Sequence, residues 1–166
     1  MKETMVMVRL HAVAMPSLEL GPMALLQDPR SERRVLVNIG AFEASSIIMH
    51  LEGIKPGRPL THHLLASIMR EQNLVITSVE IHADPPQTGD GFSASLNYRK
   101  GLFKRSRNIR PSDALALAVE TDAPIYVNAR MLEATAVLFD DLLDTPDSIP
   151  TWYCDTQHQP LHKELL

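Results

Sequence analysis

Cysteine occurs once in the 166 residues, at Cys154, and glycine only seven times, without a regular period. A lone thiol excludes a disulfide scaffold, and the missing glycine period excludes a collagen-like chain. With 45% hydrophobic residues, the chain holds too much apolar material to be intrinsically disordered. No apolar run approaches the ~18 residues of a membrane span. Met1-Lys2-Glu3-Thr4-Met5 also lacks the basic start, apolar stretch and small-residue cleavage site of a secretory signal. The expectation is a cytoplasmic protein with no membrane partner, Cys154 being either kept reduced or inert.

Familiar catalytic signatures are missing too. There is no HExxH, no pair of CxxC motifs, no GxxxxGK(S/T), no GxSxG and no GxGxxG. Zincins, zinc ribbons, P-loop enzymes, α/β-hydrolases and dinucleotide folds therefore have no motif to stand on. What is present suits one globular domain, since a chain of about 150 residues can bury roughly 70% of its unfolded surface without a staple.

The formal net charge of −4 is unevenly spread. Residues 140–166 hold six acids (Asp140, Asp141, Asp144, Asp147, Asp155, Glu164) against Lys163, a net of −5, which leaves +1 for residues 1–139. The division reads as a domain over 1–139 and an acidic C-terminal extension over 140–166, where Pro146, Pro150 and Pro160 interrupt any apolar period. Arg99, Lys100, Lys104, Arg105, Arg107 and Arg110 follow one another without an intervening acid. Such a run is either a solvated hairpin end or a surface suited to phosphate oxygens.

Periodicity predicts strands over 5–15 and 34–39, with a weaker apolar stretch over 23–26. A helix is expected over 41–52, with Phe42, Ala44, Ile47, Ile48 and Leu51 as its apolar stripe and Glu43, Ser45, Ser46, His50 and Glu52 on its polar side. A second helix follows Thr61 as N-cap to about Asn73, its stripe being Leu64, Leu65, Ile68 and Met69. Residues 74–83 and 92–98 alternate as the arms of a hairpin whose tip is the turn-rich stretch 84–91. A third helix after Arg110-Pro111-Ser112 turns Ala114, Leu115, Leu117, Ala118 and Val119 inward. A short strand over 124–127 and a last helix over 131–139 complete the domain. The fold class is α+β: a mixed, mostly antiparallel sheet packed with three to four helices. An uncovered sheet edge makes a homodimer or higher homo-oligomer the expected assembly.

Arg58-Pro59-Leu60-Thr61-His62 and Arg110-Pro111-Ser112-Asp113-Ala114 open their helices alike, with Arg-Pro before the first turn. Free N–H groups at such ends favour an anion or a carboxylate, and two of them could face one pocket. Glu43, Glu52, Arg58, His62, His63, Arg110 and Asp113 are the polar candidates. As purely structural groups, Thr61 and Ser112 would cap helices while Glu43 and Asp113 offset N-terminal dipoles. Glu52 fits that role badly, because a carboxylate near a helix C-terminus is disfavoured unless it pairs with an arginine or faces a ligand. Glu43 and Glu52 lie nine residues apart, on opposite sides of a straight helix, so they cannot share an ion by themselves. The adjacent His62 and His63 diverge too far to chelate one.

Ile39-Gly40-Ala41-Phe42-Glu43-Ala44, Leu51-Glu52-Gly53, the Arg58 to His62 block, Arg110 to Ala118, and Pro124-Ile125-Tyr126-Val127 together resemble, in order and spacing, the bifunctional nuclease domain family. The resemblance covers roughly residues 5–135. It implies a compact α+β domain and, from some plant members, degradation of both DNA and RNA. Two family acids are absent: His63 stands where an Asp commonly follows Thr-His, and Asn108 where an acid commonly precedes the Arg-Pro-Ser-Asp block. His63 could instead act as a base or bind phosphate. Glu120 replaces a frequent basic residue, which reads as surface variation.

The function expected from this resemblance is phosphodiester hydrolysis of DNA or RNA assisted by Mg2+ or Mn2+. The ion would be held by Glu43, Glu52 or Asp113, with Glu52 and Asp113 as the expected ligands. His62 would assist proton transfer, Arg58 and Arg110 would clamp phosphate, and Lys104, Arg105 and Arg107 would add substrate-binding charge. A non-catalytic pocket for a nucleotide, an anion or a protein, and a purely structural ion-pair network, are the alternatives.

Overall fold

The computed structural model describes residues 4–15, 18–31, 33–83 and 91–134. The expected hairpin tip, the last helix beyond Ala134 and the acidic extension lie outside these residues. Eleven elements follow in chain order: β1 (Met5–Ala14), β2 (Met23–Gln27), β3 (Arg34–Asn38), α1 (Ala41–Leu51), α2 (Thr61–Glu71), β4 (Leu74–Ala83), β5 (Phe92–Lys100), β6 (Phe103–Ile109), α3 (Pro111–Thr121), β7 (Ile125–Asn128) and α4 (Ala129–Ala134). They form the expected α+β architecture.

Seven strands make one sheet in the order β3-β2-β1-β7-β4-β5-β6. Only β4 and β7 pair in parallel; the other neighbours are antiparallel. β1 joins the two halves by changing partner along its length. Met5 to Val8 pair with β7, Arg9 to Ala14 pair with β2, and a bulge between Leu10 and Ala12 lets the strand bend after the change.

The centre of the molecule is α3. Ala114, Leu115, Ala116, Leu117 and Ala118 are five consecutive residues, none more than 2% exposed, so this helix is enclosed on every side. It touches α1, α2, β3, β4 and β5. Since β3 is separated from β4 by three strands and from β5 by four, the sheet must curl around α3 for all of them to reach it. The alternating alanines keep α3 narrow enough for that close approach.

Pro111 is the first residue of α3 and fixes the chain entering it. The N-cap therefore falls on the extended Arg110, not on Ser112, which lies buried inside the first turn. Thr61 is likewise the first residue of α2, after an N-cap at Leu60. Neither helix has a side-chain cap hydrogen bond.

Two expectations about faces fail. Phe42 stands 88% exposed on α1 while Glu43 and Ser46 are buried, because α1 turns polar groups toward α3. On α2, Leu64, Leu65 and Ile68 look outward, and the inward face is His62, Ala66 and Met69. The basic stretch after Lys100 is a true edge strand, β6, returned antiparallel onto β5 by the tight Gly101-Leu102 turn. Gly101 takes a φ of 56° there, which a glycine adopts without penalty.

Leu115, fully enclosed by helices and sheet, provides the test of this core. Leu115→Ala is expected to cost about 2–5 kcal/mol in urea unfolding, the range for leucine truncation at an enclosed site.

Candidate functional site

Three helix N-termini meet at one place. Glu43 is the third residue of α1, His62 the second of α2 and Asp113 the third of α3. One donor atom from each lies within 4.8 Å of the others. Arg110 binds the group together: its Nε donates to Asp113 Oδ2 at 2.8 Å, and its Nη2 donates to Asp113 Oδ1 and Glu43 Oε1, each at 3.1 Å. On the other side of Asp113, His62 Nε2 lies 3.1 Å from Oδ1. Glu43 and His62 are buried, whereas the Arg110 side chain keeps 71% of its surface exposed. The network thus has a buried acidic floor and an accessible cationic roof.

The local sequence makes this arrangement. Gly40 precedes α1 in an ordinary extended conformation (φ −77°, ψ 161°), so its backbone does not need glycine. Its side does, because a Cβ at position 40 would collide with Oε2 of Glu43. Gly40 therefore lets the Glu43 carboxylate fold back over the helix entry, within reach of Arg110. N-terminal dipoles favour both carboxylates here. The hydrogen-bonded Arg110 guanidinium holds the Asp113 carboxyl below the usual carboxylate range, outweighing partial burial that pushes it up; His62 adds to the lowering.

Of the expected site residues, Glu43, His62, Arg110 and Asp113 converge. Glu52 does not join them: it is the exposed C-cap residue of α1, at the other end of that helix. Arg58 lies in the exposed connection between α1 and α2 and makes none of the cluster's hydrogen bonds. Lys104, Arg105 and Arg107 project from the exposed β6, whose last residue leads directly into Arg110.

A second cluster is new. His50 Nδ1 lies 3.2 Å, and His63 Nε2 3.0 Å, from the same Glu120 Oε2. The expectation that Glu120 is mere surface variation is thus wrong: its side chain is only 14% exposed and is held by two histidines. A seven-residue interval was the available signal. Glu43 to His50 on α1 and Asp113 to Glu120 on α3 each span two turns and return to the same helix face. Because Glu43 is joined to the Arg110–Asp113 pair at one end and His50 to Glu120 at the other, α1 and α3 lie side by side with the same sense. The divergence of His62 and His63 is what sends one imidazole to each cluster.

Two outcomes follow from this geometry. A carboxyl whose folded-state pKa is lowered stabilises the fold above its ordinary value and loses that contribution as pH falls through the folded value. Urea unfolding is expected to show the stability gap between wild type and Asp113→Asn closing below about pH 4, where free carboxylates protonate. Gly40→Ala should destabilise the wild type, by driving the Glu43 carboxylate off Arg110, yet be neutral in a Glu43→Ala background that has nothing to displace.

Comparison with known proteins agrees with this description. Residues 24–140 match the family model described as "Bifunctional nuclease domain", a stretch that takes in all three helices of both clusters. Two relatives from Mycobacterium tuberculosis, "Uncharacterized protein MT1877" of strain CDC 1551 and "Uncharacterized protein Rv1829" of strain H37Rv, are each 30% identical over 139 residues, covering 82% of this chain and 80% of theirs. By the extent of these matches, the chain belongs to the bifunctional nuclease domain family.

Proposed function

We propose that the protein hydrolyses phosphodiester bonds in single-stranded DNA or RNA at the Glu43–His62–Asp113 cluster. The observation behind this is the meeting of two carboxylates, an imidazole and an exposed guanidinium at three helix N-termini, where the basic edge strand β6 ends. Anions are favoured at such helix ends, and Arg110 is placed to take a phosphate in its planar fork. Lys104, Arg105 and Arg107 extend that attraction along β6, with Arg107 about 10 Å from Arg110 at the ordinary strand rise. At the far end of β6 a hollow of about 290 Å3 is lined by Leu74, Tyr98, Lys100, Phe103 and Arg105. Aromatic rings beside cations suit unpaired bases and their phosphates.

Within the cluster, the 3.1 Å contact between Asp113 Oδ1 and His62 Nε2 orients the imidazole; with a cation bound, Nε2 would give its lone pair to the ion and Nδ1 would carry the ring's proton. Glu43, Asp113 and His62 present two carboxylate oxygens and one imidazole nitrogen, a mixed set that suits Mn2+ better than the oxygen-preferring Mg2+. A divalent cation held there would stabilise charge on the phosphoryl oxygens and acidify a water. Arg110 would then exchange its carboxylate partners for the phosphate of the substrate.

The test uses single-stranded DNA and RNA oligonucleotides with Mn2+, with Mg2+ and with EDTA. Wild type should cleave in a metal-dependent way. Glu43→Gln and Asp113→Asn, purified in parallel, should lose activity on the order of a hundredfold or more, the usual scale for a removed acid–base group, while still melting cooperatively. Equal cleavage by all preparations overturns the assignment of the site. Binding without cleavage favours a non-catalytic nucleic-acid module, and variants that fail to fold favour a structural ion-pair network.

A further inference from the structure

We infer that His50, His63 and Glu120 form a binding site for a zinc-class transition-metal ion, separate from the proposed cleavage site and independent of the nuclease reading. His50 belongs to the last turn of α1, His63 to the first turn of α2 and Glu120 to the last turn of α3. The donor atoms are the two imidazole nitrogens and the carboxylate oxygen, all within 4.8 Å of one another. Ligands bonded to one tetrahedral Zn2+ at about 2.0–2.1 Å stand about 3.3 Å apart. The separations of 3.2 Å and 3.0 Å from Glu120 Oε2 are close to that spacing, so small side-chain movements would admit an ion.

Electrostatics favours a cation here more than at the first cluster. The Glu43–His62–Asp113 group sits at three helix N-termini and already carries Arg110; the second group has the C-terminal ends of α1 and α3, where the dipole attracts positive charge, against the single N-terminal end of α2 that brings His63. Glu120, a carboxylate in the last turn of α3, opposes the dipole of its own helix, and a bound cation would relieve that opposition. Among the described residues, the ion-pair contacts to Glu120 Oε2 come from His50 and His63, and no arginine stands in this cluster as Arg110 does in the first.

Among the described residues, no hydrogen-bond partner reaches the buried Nδ1 of His63. The ring meets its surroundings through Nε2, the atom 3.0 Å from Glu120 Oε2, and Nε2 is the atom it would offer to a metal. Side-chain exposures of 33%, 16% and 14% for His50, His63 and Glu120 enclose three ligands while leaving a side open for water as a fourth. Two turns of α3, about 10 Å, separate Glu120 from Asp113. That is too far for a two-metal centre, whose ions lie about 4 Å apart. The ion would instead cross-link three helices.

Zinc titration of the full chain decides the matter. Cys154→Ser serves as the background, removing the one thiol that could compete, and the protein is first stripped with EDTA and then freed of chelator. Calorimetry should find saturable binding of Zn2+, the melting temperature should rise with added Zn2+, and Co2+ should give the visible absorption of a tetrahedral nitrogen–oxygen site. His50→Gln and Glu120→Gln should weaken Zn2+ binding roughly tenfold or more, and the same loss should appear when they are added to a Glu43→Gln/Asp113→Asn background, in which the first cluster cannot contribute. Absence of saturable binding in wild type overturns the site, as does equal affinity in His50→Gln and Glu120→Gln. Melting curves in EDTA establish that the variants fold. Should Glu120→Gln not fold, His50→Gln alone is decisive, since its side chain is the most exposed of the three.

Discussion

The parallel packing of α1 on the enclosed helix α3 is the constraint on which the rest of the molecule depends. A helix buried on all sides can present polar groups only at its ends, and α3 does so with Arg110 and Asp113 at one end and Glu120 at the other. α1 runs in the same direction beside it, so Glu43 and His50 meet those ends in register. The apolar middle holds the two helices at a fixed distance, and the polar rungs inherit that distance. Curling of the sheet around α3 follows from the same arrangement, as does the delivery of the basic strand β6 to the entrance of α3.

The rungs differ in electrical character although they share two helices. The lower one lies at helix N-termini and is capped by a guanidinium, which favours a phosphate on its exposed side above the carboxylates. The upper one lies at the C-termini of α1 and α3 and offers only lone pairs and a carboxylate, a setting for a cation. The direction of α1 and α3, together with Arg110, separates two sites built from similar side chains. The net charge of −4 says nothing of this, since the acids that supply it fall mostly in residues 140–166.

Much of the fold was legible because period and turn chemistry agree with burial. β1, β4, β5 and β7 alternate or run apolar as half-buried and buried strands do, and Pro111 marks the entry to α3 without ambiguity. What failed on α1 and α2 has one physical cause: these helices turn polar side chains inward, where they meet polar groups of α3. Ranking residues by hydrophobicity then picks the wrong face, as with Leu64, Leu65 and Ile68 against His62. β6 escaped notice because an exposed edge strand of Lys, Arg, Ser and Asn carries almost no alternation of burial. For the site, Glu43, His62, Arg110 and Asp113 could be chosen as helix-end groups. The pairing of His50 and His63 with Glu120 needs the relative direction of α1 and α3, which no single segment encodes.

The outward face of α2 has a mechanical consequence. This helix buries only His62, Ala66 and Met69, and its apolar Leu64, Leu65 and Ile68 contribute little to its attachment. Beside the packing of Ala66 and Met69, its polar hold on the body lies in one turn, at His62 and His63. Elements anchored so sparsely are the first to open in a folded protein. Because a single dipeptide pins α2 to both rungs, its detachment would dismantle the two clusters together. The anion-favouring and the cation-favouring site would therefore share one opening equilibrium, and stiffening either would steady the other.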